Sequence, residues 1–292
     1  MSVLEIAAVD TPPYAVRRRF PKKLLAHIPI IALGLVMIYP PLWMVSSSFK
    51  PGQLIFSEPG LWPREWTLDN YAQGWLALGI PFSRFFFNSL VVAALSVIGN
   101  LVSCSLAAYT FARLEFRFKP ALFGLMLGTI MLPFQVILVP QYILFHTLNW
   151  TNTILPLVVP KFLAVDAFFV FLLVQFIRGL PRELDDAATV DGCGPLGVFW
   201  RIILPLMRPA LAVTAVFTFI WTWNEFLGPL IYLTATDSYT VPIALNAFLD
   251  STGPSAWGSM FAMSVLSLLP LFLVFLFAQK QLVQGIATTG LK

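Results

Sequence analysis

Long apolar runs separated by short polar links dominate the pattern of this chain. A helix that crosses a bilayer needs about 20 mostly apolar residues. Asp, Glu, Lys and Arg are absent from four long runs, residues 24–49, 85–112, 120–160 and 251–279. Asn149–Asn152 divides the third of these runs into two candidate spans. Residues 162–177 and 209–236 each contain a single charged residue, Asp166 and Glu225 respectively. The pattern predicts six transmembrane helices, near residues 24–47, 85–112, 120–142, 154–177, 209–233 and 258–279.

Composition supports the same interpretation. The 292 residues are 58% hydrophobic and 11% charged, whereas a soluble domain is about 45–50% apolar and about 25% charged. Disordered chains are excluded as well, because they are poor in apolar residues and rich in charge. We therefore expect an all-α fold, a polytopic membrane protein with six transmembrane helices.

Basic residues are distributed unevenly among the links. Of the 18 Lys and Arg residues, fourteen lie before the first span, in the 2–3 and 4–5 links, or after the sixth span. The positive-inside rule then predicts that both termini are cytoplasmic. The predicted organisation is a cytoplasmic segment 1–23, a transmembrane domain 24–280 with an external segment 49–83, and a cytoplasmic tail 281–292. The net charge of +4 follows from this sidedness and does not indicate nucleic-acid binding.

The 4–5 link, residues 178–208, is too long to be a simple connector, and we call it the elbow. Pro181 and the acids after it suit the first turn of a helix, and Gly192 suits its C-terminus. A second helix is predicted from Gly194-Pro195 to Pro205. Its apolar stripe consists of Leu196, Phe199, Trp200 and Ile203.

The elbow pattern alone allows two functions. A stiff helical elbow with one acidic, small-residue surface is suited to docking against another protein. An amphipathic helix lying on the lipid surface would show a similar apolar stripe.

The elbow contains Asp186-Ala187-Ala188, then Gly192, then Ile202-Ile203-Leu204-Pro205. In residue type and spacing these three parts resemble the EAA loop of ABC importer permeases, with Asp186 standing where the family usually has Glu. Residues 105–117, Trp223-Asn224-Glu225-Phe226 and the tail 285–292 are similar to the carbohydrate-uptake, MalG-type branch. The resemblance covers nearly the whole chain. It favours docking of the elbow against another protein over a helix that lies on the lipid surface.

The resemblance implies the type I permease fold of ABC importers and a multi-pass location in the plasma (inner) membrane of a prokaryote, in contact with lipid. The implied partners are a MalF-type permease subunit as heterodimer partner, two cytoplasmic ABC ATPase subunits and an external solute-binding protein. The implied role of the elbow is to couple to the ATPase. The coupling residues are then Glu183, Asp186, Ala187, Ala188, Gly192, Ile202, Leu204 and Pro205.

The chain shows no signal for chemistry of its own. None of its lysines follows a glycine, so the phosphate-binding Gly-x-x-x-x-Gly-Lys-[Ser/Thr] motif is absent. No His or Cys pair has metal-ligand spacing. We therefore expect no catalytic residue, metal or cofactor in this chain, with ATP and Mg bound by partner subunits.

Two acids, Asp166 and Glu225, lie inside predicted spans, where a charge costs about 2.5–3.5 kcal/mol on insertion scales. Such residues are either part of a translocation path or buried polar contacts between helices. Lys161 is five residues from Asp166, which is about 140° around a straight helix, so we expect the two to be poor partners. We expect Asn100 to form an interhelical hydrogen bond. The candidate path residues are Trp221, Trp223, Asn224, Glu225 and Asp166.

External tryptophans suggest a contact surface. Segment 49–83 contains Trp62, Trp66 and Trp75. With 234–257, this segment is predicted to form a platform for the solute-binding protein. The alternative is an aromatic belt at the membrane interface.

The sequence therefore predicts a permease subunit of an ATP-driven ABC importer. It would form half of the path for a carbohydrate, meaning a sugar, an oligosaccharide or a related polyol. One alternative is a stand-alone secondary transporter of a small polar solute, which would leave the elbow without a purpose. The other alternative is an intramembrane enzyme. An enzyme of this kind would need a nucleophile and a base that converge within the spans, and none is evident in the sequence.

Overall fold

The computed structural model describes the backbone of residues 22–250 and 255–289, and the side chains of 27–249 and 257–279. Within these ranges the chain forms helices and turns without a strand, so the all-α prediction is confirmed. The predicted segment 1–23 lies outside the described residues up to position 21, as do the last three residues of the predicted tail.

Fourteen α-helices, two 3-10 turns and one π-turn make up the described chain. The first seven α-helices are α1 Lys22–Ser47, α2 Asp69–Leu76, α3 Phe82–Arg113, α4 Lys119–Thr129, α5 Phe134–Thr147, α6 Leu155–Val158 and α7 Ala167–Arg178, with a 3-10 turn at Val159–Leu163. The others are α8 Glu183–Val190, α9 Pro195–Val198, α10 Leu204–Leu206, α11 Arg208–Asn224, α12 Leu227–Tyr232, α13 Val241–Asp250 and α14 Ser255–Thr289. The π-turn is Phe199–Ile203, and the second 3-10 turn is Thr236–Ser238.

The chain divides into two compact units, Met1–Trp43 and Met44–Lys292. The described part of the first unit is most of α1. Its apolar side chains are exposed, for example Ile31 at 60% and Met37 at 70%. A helix with this length and composition suits lipid as its solvent.

Four helical segments of the described chain are long and apolar enough to cross a membrane: His27–Ser47, Phe82–Arg113, Leu155–Arg178 and Trp257–Gln279. Two further pairs qualify only if each bent pair counts as one span, which gives up to six. The first pair, α4 with α5, bends by 100°, and the second, Pro195–Leu206 with α11, bends by 75°. The predicted count of six is therefore the upper limit by length and composition.

The predicted third span is not one straight helix. α4 ends at Thr129 and α5 begins at Phe134, directly after Pro133. Proline has no N–H to continue the helical hydrogen bonds, and its ring crowds the preceding turn. The third span therefore has a break near its middle.

The predicted fourth and fifth spans are also interrupted, contrary to the straight helices that the sequence suggested. In the fourth, a 3-10 turn leads to Ala164 at a φ of 54°, and α7 begins only after Asp166. In the fifth, α11 ends at Asn224 and Glu225 is extended with a ψ of 126°. Both intramembrane acids therefore lie at helix ends.

α3 forms the centre of the second unit and packs against α7 and α11. Lipid is as apolar as a leucine side chain, so close packing of small residues drives helix association in membranes. α3 buries small residues on its packed faces, among them Ala93, Ser96 and Ala108. At Gly99 an added Cβ would lie 2.9 Å from the Phe162 ring, so this glycine allows close approach of the fourth span.

Candidate functional site

The first helix of the elbow is α8. The turn that ends it has the left-handed backbone conformation expected of a glycine. Gly192 has a φ of 83°, in the left-handed region that glycine favours. Its N–H donates to Thr189 O at 3.0 Å, and Cys193 N–H donates to Ala188 O at 2.9 Å. These two bonds form a Schellman motif, which satisfies carbonyls at the helix end. The prediction that Gly192 closes the first elbow helix is confirmed.

One face of α8 is exposed, and we call it the outer stripe. It consists of Glu183, Asp186, Ala187 and Val190, which are spaced i, i+3, i+4 and i+7 and therefore share a side of the helix. Val190 is 88% exposed. An apolar side chain so exposed beside two acids is suited to contact with another surface.

The opposite face of α8 packs against the rest of the chain. Ala188 is 5% exposed and belongs to a buried cluster with Tyr109 of α3 and Ile177 of α7. Sequence reasoning grouped Ala188 with Ala187 as an outward pair and did not include Val190. The structure separates the two alanines, because adjacent residues on a helix point about 100° apart.

The second elbow helix runs from Pro195 to Leu206, one residue beyond its predicted end at Pro205. Its predicted apolar stripe is divided. Phe199 and Ile203 are buried, whereas Leu196 is 67% and Trp200 56% exposed. Ile202 and Leu204 are half-buried and Pro205 is exposed.

A π-turn at Phe199–Ile203 precedes Pro205, and Leu204 N–H donates to Phe199 O, five residues back. Proline crowds the carbonyl four residues before it. The wider turn allows the helix to continue through this position.

Polar contacts join the elbow to the end of α3. Arg113 Nε lies 2.8 Å from Asp185 Oδ2, and Arg113 Nη2 donates to Leu180 O at 2.9 Å. Tyr109 Oη donates to Pro195 O at 2.9 Å. Burial raises the pKa of Asp185 above the usual aspartate value, and the charge of Arg113 partly offsets this rise. Sequence reasoning missed Arg113, because its partners are far away along the chain.

Within the predicted spans, Asp166 is held by two side chains. Lys161 Nζ lies 2.9 Å from Asp166 Oδ2, and Asn100 Nδ2 donates to the same oxygen at 2.6 Å. Asn100 also donates to Thr218 Oγ1 at 3.1 Å, so the interhelical hydrogen bond expected of Asn100 is confirmed. The expectation that Lys161 and Asp166 are poor partners is wrong, because the helix is broken at Ala164 between them.

The predicted path residues occupy different environments. Trp223 is 3% exposed, and its indole N–H donates to Ser267 O at 3.2 Å, which is a packing role in this chain. Trp221 is 49% exposed and contacts Phe169 with ring centroids 5.1 Å apart.

The two polar path residues lie next to each other at the end of α11. Asn224 is exposed, and its Nδ2 donates to Ile220 O at 2.7 Å. Glu225 is half-buried and interacts electrostatically with Lys161 and Asp166. Glu225 thus extends the charged cluster of the fourth span to the break in the fifth.

A buried lysine organises the 49–83 segment. Lys50 is 1% exposed, and its Nζ donates to Glu58 O at 2.7 Å and to Gly60 O at 2.6 Å. Burial lowers the pKa of Lys50, and the nearby Glu58 carboxylate partly offsets this. The loop closed in this way is followed by Trp62, 80% exposed, and Trp66, 58% exposed. Sequence reasoning missed Lys50, since a lysine outside the membrane is normally solvated.

Comparison with known proteins assigns the class of this fold and elbow. The chain belongs to the family described as binding-protein-dependent transport system inner membrane component, which matches residues 99–288. It is therefore a multi-pass membrane protein and a permease subunit of the ABC importer type, which the match favours over a stand-alone secondary transporter.

Relatives and a solved structure agree with the family. The chain is 35% identical to the probable ABC transporter permease protein YurM of Bacillus subtilis, with 88% of this chain and 85% of YurM covered. It is 33% identical to the trehalose/maltose transport system permease protein MalG of Thermococcus litoralis, covering 93% and 97%. The crystal structure of a bacterial ABC transporter involved in the import of the acidic polysaccharide alginate matches with a TM-score of 0.79 and 19% identity. That match covers 92% of this chain and 99% of the other, and shows the same fold.

Proposed function

We propose that this permease forms half of the translocation path for a carbohydrate and couples it to ATP hydrolysed by partner subunits. The names of several relatives support the substrate class: one is an arabinooligosaccharides permease of Halalkalibacterium halodurans, 32% identical over 89% of this chain. The chain itself performs no covalent step. ATP and Mg bind to the partners.

The outer stripe is the observation that carries this proposal. Glu183, Asp186, Ala187 and Val190 form an exposed surface on a helix whose other face is fixed to the core of the chain. A partner that binds this surface can push the elbow as a rigid body. We propose that one of two cytoplasmic ATPase subunits binds here, and that a MalF-type permease presents an equivalent surface to the other.

Charge reversal on the outer stripe tests the ATPase contact. Asp186→Lys should greatly reduce co-purification of the ATPase from native membranes and abolish ATP-driven uptake. Glu115→Lys is the matched control, because Glu115 is an exposed acid just beyond α3 and outside the elbow. The proposal fails if Asp186→Lys and Glu115→Lys retain equal amounts of ATPase.

The substrate class is tested separately with the whole importer. Proteoliposomes containing the permease pair, the ATPase and the solute-binding protein should accumulate a labelled sugar, oligosaccharide or polyol in an ATP-dependent manner. Uptake of amino acids or peptides, with no response to a carbohydrate panel, would refute the substrate class and leave the ATPase contact standing.

We further propose that Asn224, Glu225 and the exposed Trp221 face the path, with Asp166 holding Lys161 behind them. Amide and carboxylate groups suit the hydroxyls of a carbohydrate. Glu225→Gln should raise the KM for uptake and leave basal ATP hydrolysis unchanged. An unchanged KM would exclude Glu225 from the path.

The 49–83 segment is the proposed platform for the external solute-binding protein, together with 234–257. Trp62 and Trp66 are exposed and in edge contact, with ring centroids 5.5 Å apart. Trp62→Ala should weaken stimulation of ATP hydrolysis by the binding protein, and Leu68→Ala, an exposed residue of the same segment, serves as the control. Equal stimulation in both variants would favour the aromatic-belt alternative.

A further inference from the structure

α3 has no direct chain connection to the elbow. The elbow is continuous with α7 before it and with α11 after it, whereas α3 ends at Arg113 and leads into α4. Any movement of the elbow reaches α7 and α11 through the backbone. It reaches α3 through side-chain contacts, either directly from the elbow or by way of the packing of α7 and α11 against α3.

Most of those contacts are apolar and have little directional preference. Ala188 and Phe199 pack against the α3 end, with the Phe199 and Tyr109 rings 5.3 Å apart. Apolar contacts of this kind resist separation because they bury surface, but they do not fix one register of sliding.

Arg113 supplies one charge contact and one directional contact: its Nε lies close to the Asp185 carboxylate without hydrogen-bond geometry, and its Nη2 donates a hydrogen bond to a backbone carbonyl. Its side chain is 5% exposed and that of Asp185 is 19% exposed, so the pair is largely removed from water. One guanidinium nitrogen faces the Asp185 carboxylate, and another donates to the carbonyl of Leu180, just before α8. The two contacts fix both the start of α8 and its inner face relative to α3.

Asp185 depends on this arginine for charge compensation. Its Oδ1 is buried and has no hydrogen-bond partner among the described residues. Arg113 provides the larger favourable charge interaction with Asp185, and Arg182 the smaller. Removing one partner of a buried pair leaves an uncompensated charge, which is strongly unfavourable.

We propose that Arg113 is a positioning residue that locks the elbow to α3, so that displacement of the elbow by the ATPase is transmitted to the central helix of the bundle. This role rests on the proposed function, in which the ATPase pushes the elbow. Without the lock, apolar packing and the Tyr109 hydrogen bond to Pro195 O would hold the elbow to α3 less firmly, and less substrate would be transported per ATP hydrolysed.

The test measures substrate transported per ATP hydrolysed in proteoliposomes that contain the complete importer. Arg113→Lys keeps the charge without the two-point geometry, and Asp185→Asn keeps the shape without the charge. Arg117→Ala is the matched control, because Arg117 is an exposed arginine four residues further on. Co-purified ATPase and basal ATP hydrolysis are measured in parallel.

We expect both variants to assemble in normal amounts and to hydrolyse ATP at the basal rate. Transport per ATP should fall about five-fold or more, the lower end of the usual range for energetic coupling between sites. The Arg113→Lys/Asp185→Asn double variant should lose no more than the larger single loss, because the two residues act through each other. Arg117→Ala should match the wild type.

Three results would overturn this role. The first is a wild-type ratio of substrate transported per ATP in Asp185→Asn. The second is a double variant in which the two single losses of that ratio add. The third is reduced assembly with the ATPase while the ratio is unchanged. Absence of ATP-driven uptake by the wild-type complex would instead refute the proposed function itself, and this role with it.

Discussion

Substitution of Gly192 separates a backbone requirement from a steric one. At a φ of 83°, this residue closes α8 through the two hydrogen bonds of the Schellman motif. We consider replacement by Asn, Ala and Val. Gly194→Ala is the matched control, because Gly194 is a nearby exposed glycine with a φ of −74°, which any residue adopts.

The magnitude follows from the backbone alone. A Cβ added at Gly192 would meet nothing within 4 Å, so packing within the chain adds no penalty. A left-handed conformation costs a residue with a Cβ about 1–2 kcal/mol, and Asn tolerates it better. Such a cost raises the population of the opened helix end about 5–30-fold for Ala. Val should exceed this, because β-branched residues are the least tolerant of positive φ.

Two assays report the effect. Amide hydrogen exchange, followed by mass spectrometry over residues 188–194 in nanodiscs, measures opening of the helix end. ATP-driven uptake measures its consequence for transport. We expect both to rank the variants in the order Gly, Asn, Ala, Val, from best to worst, with Gly194→Ala close to the wild type.

The order of Asn and Ala decides the interpretation. Asn is the larger side chain but the better left-handed residue. If Gly192→Ala transports better than Gly192→Asn, side-chain volume at a partner's surface is limiting, and the backbone argument is refuted. Wild-type exchange in Gly192→Ala would refute it as well.

Lys161→Met and Asp166→Leu should each lower the free energy of unfolding in detergent by about 1–3 kcal/mol, less than for a fully buried pair because both side chains are 24% exposed. The double variant should lose less than the sum, and additive losses in thermal unfolding would contradict the pairing. Lys50→Met removes two hydrogen bonds to carbonyls and should speed proteolysis of the 49–83 segment about five-fold or more. Because burial lowers the pKa of Lys50, the folded segment favours the neutral amine. Protection of the wild type should therefore increase as pH rises through that lowered pKa toward the ordinary lysine range, and a flat or falling profile would contradict this. Trp223→Phe should lower stability by about 0.5–1.5 kcal/mol through loss of one hydrogen bond, and a raised KM for uptake would instead place this residue in the path.

Hydropathy predicts where the spans lie but not their internal shape. The four segments that are each long and apolar enough to cross a membrane coincide with predicted spans, because length and apolar content decide whether a helix can cross lipid. The breaks at Pro133, Ala164 and Glu225 are changes in backbone conformation, which the summed hydropathy of a span does not predict. Only Pro133 has a clear local signal. At Ala164, tertiary contacts select a left-handed residue that has no intrinsic preference for it.

The sequence predicts the boundaries of the elbow helices better than it predicts which of their faces are buried. Gly192 and Pro195 are capping signals that depend on neighbouring residues, and both mark helix boundaries as expected. The inward side of α8 is the side that contacts Arg113 and the apolar cluster around Ala188, and Arg113 lies two spans earlier. Such pairing is decided by the assembled bundle, so the inward position of Ala188 could not be read from the elbow alone.

The position of Arg113 in the chain also has a consequence for synthesis on the ribosome. α3 is complete before the elbow emerges, whereas α11 follows it. A short helix closed by local hydrogen bonds forms in about a microsecond or less, while translation adds about 5–20 residues per second. We therefore expect Asp185 to contact Arg113 before the fifth span is inserted into the membrane. The elbow of the nascent subunit would then be in register with α3 before the last two spans are in place.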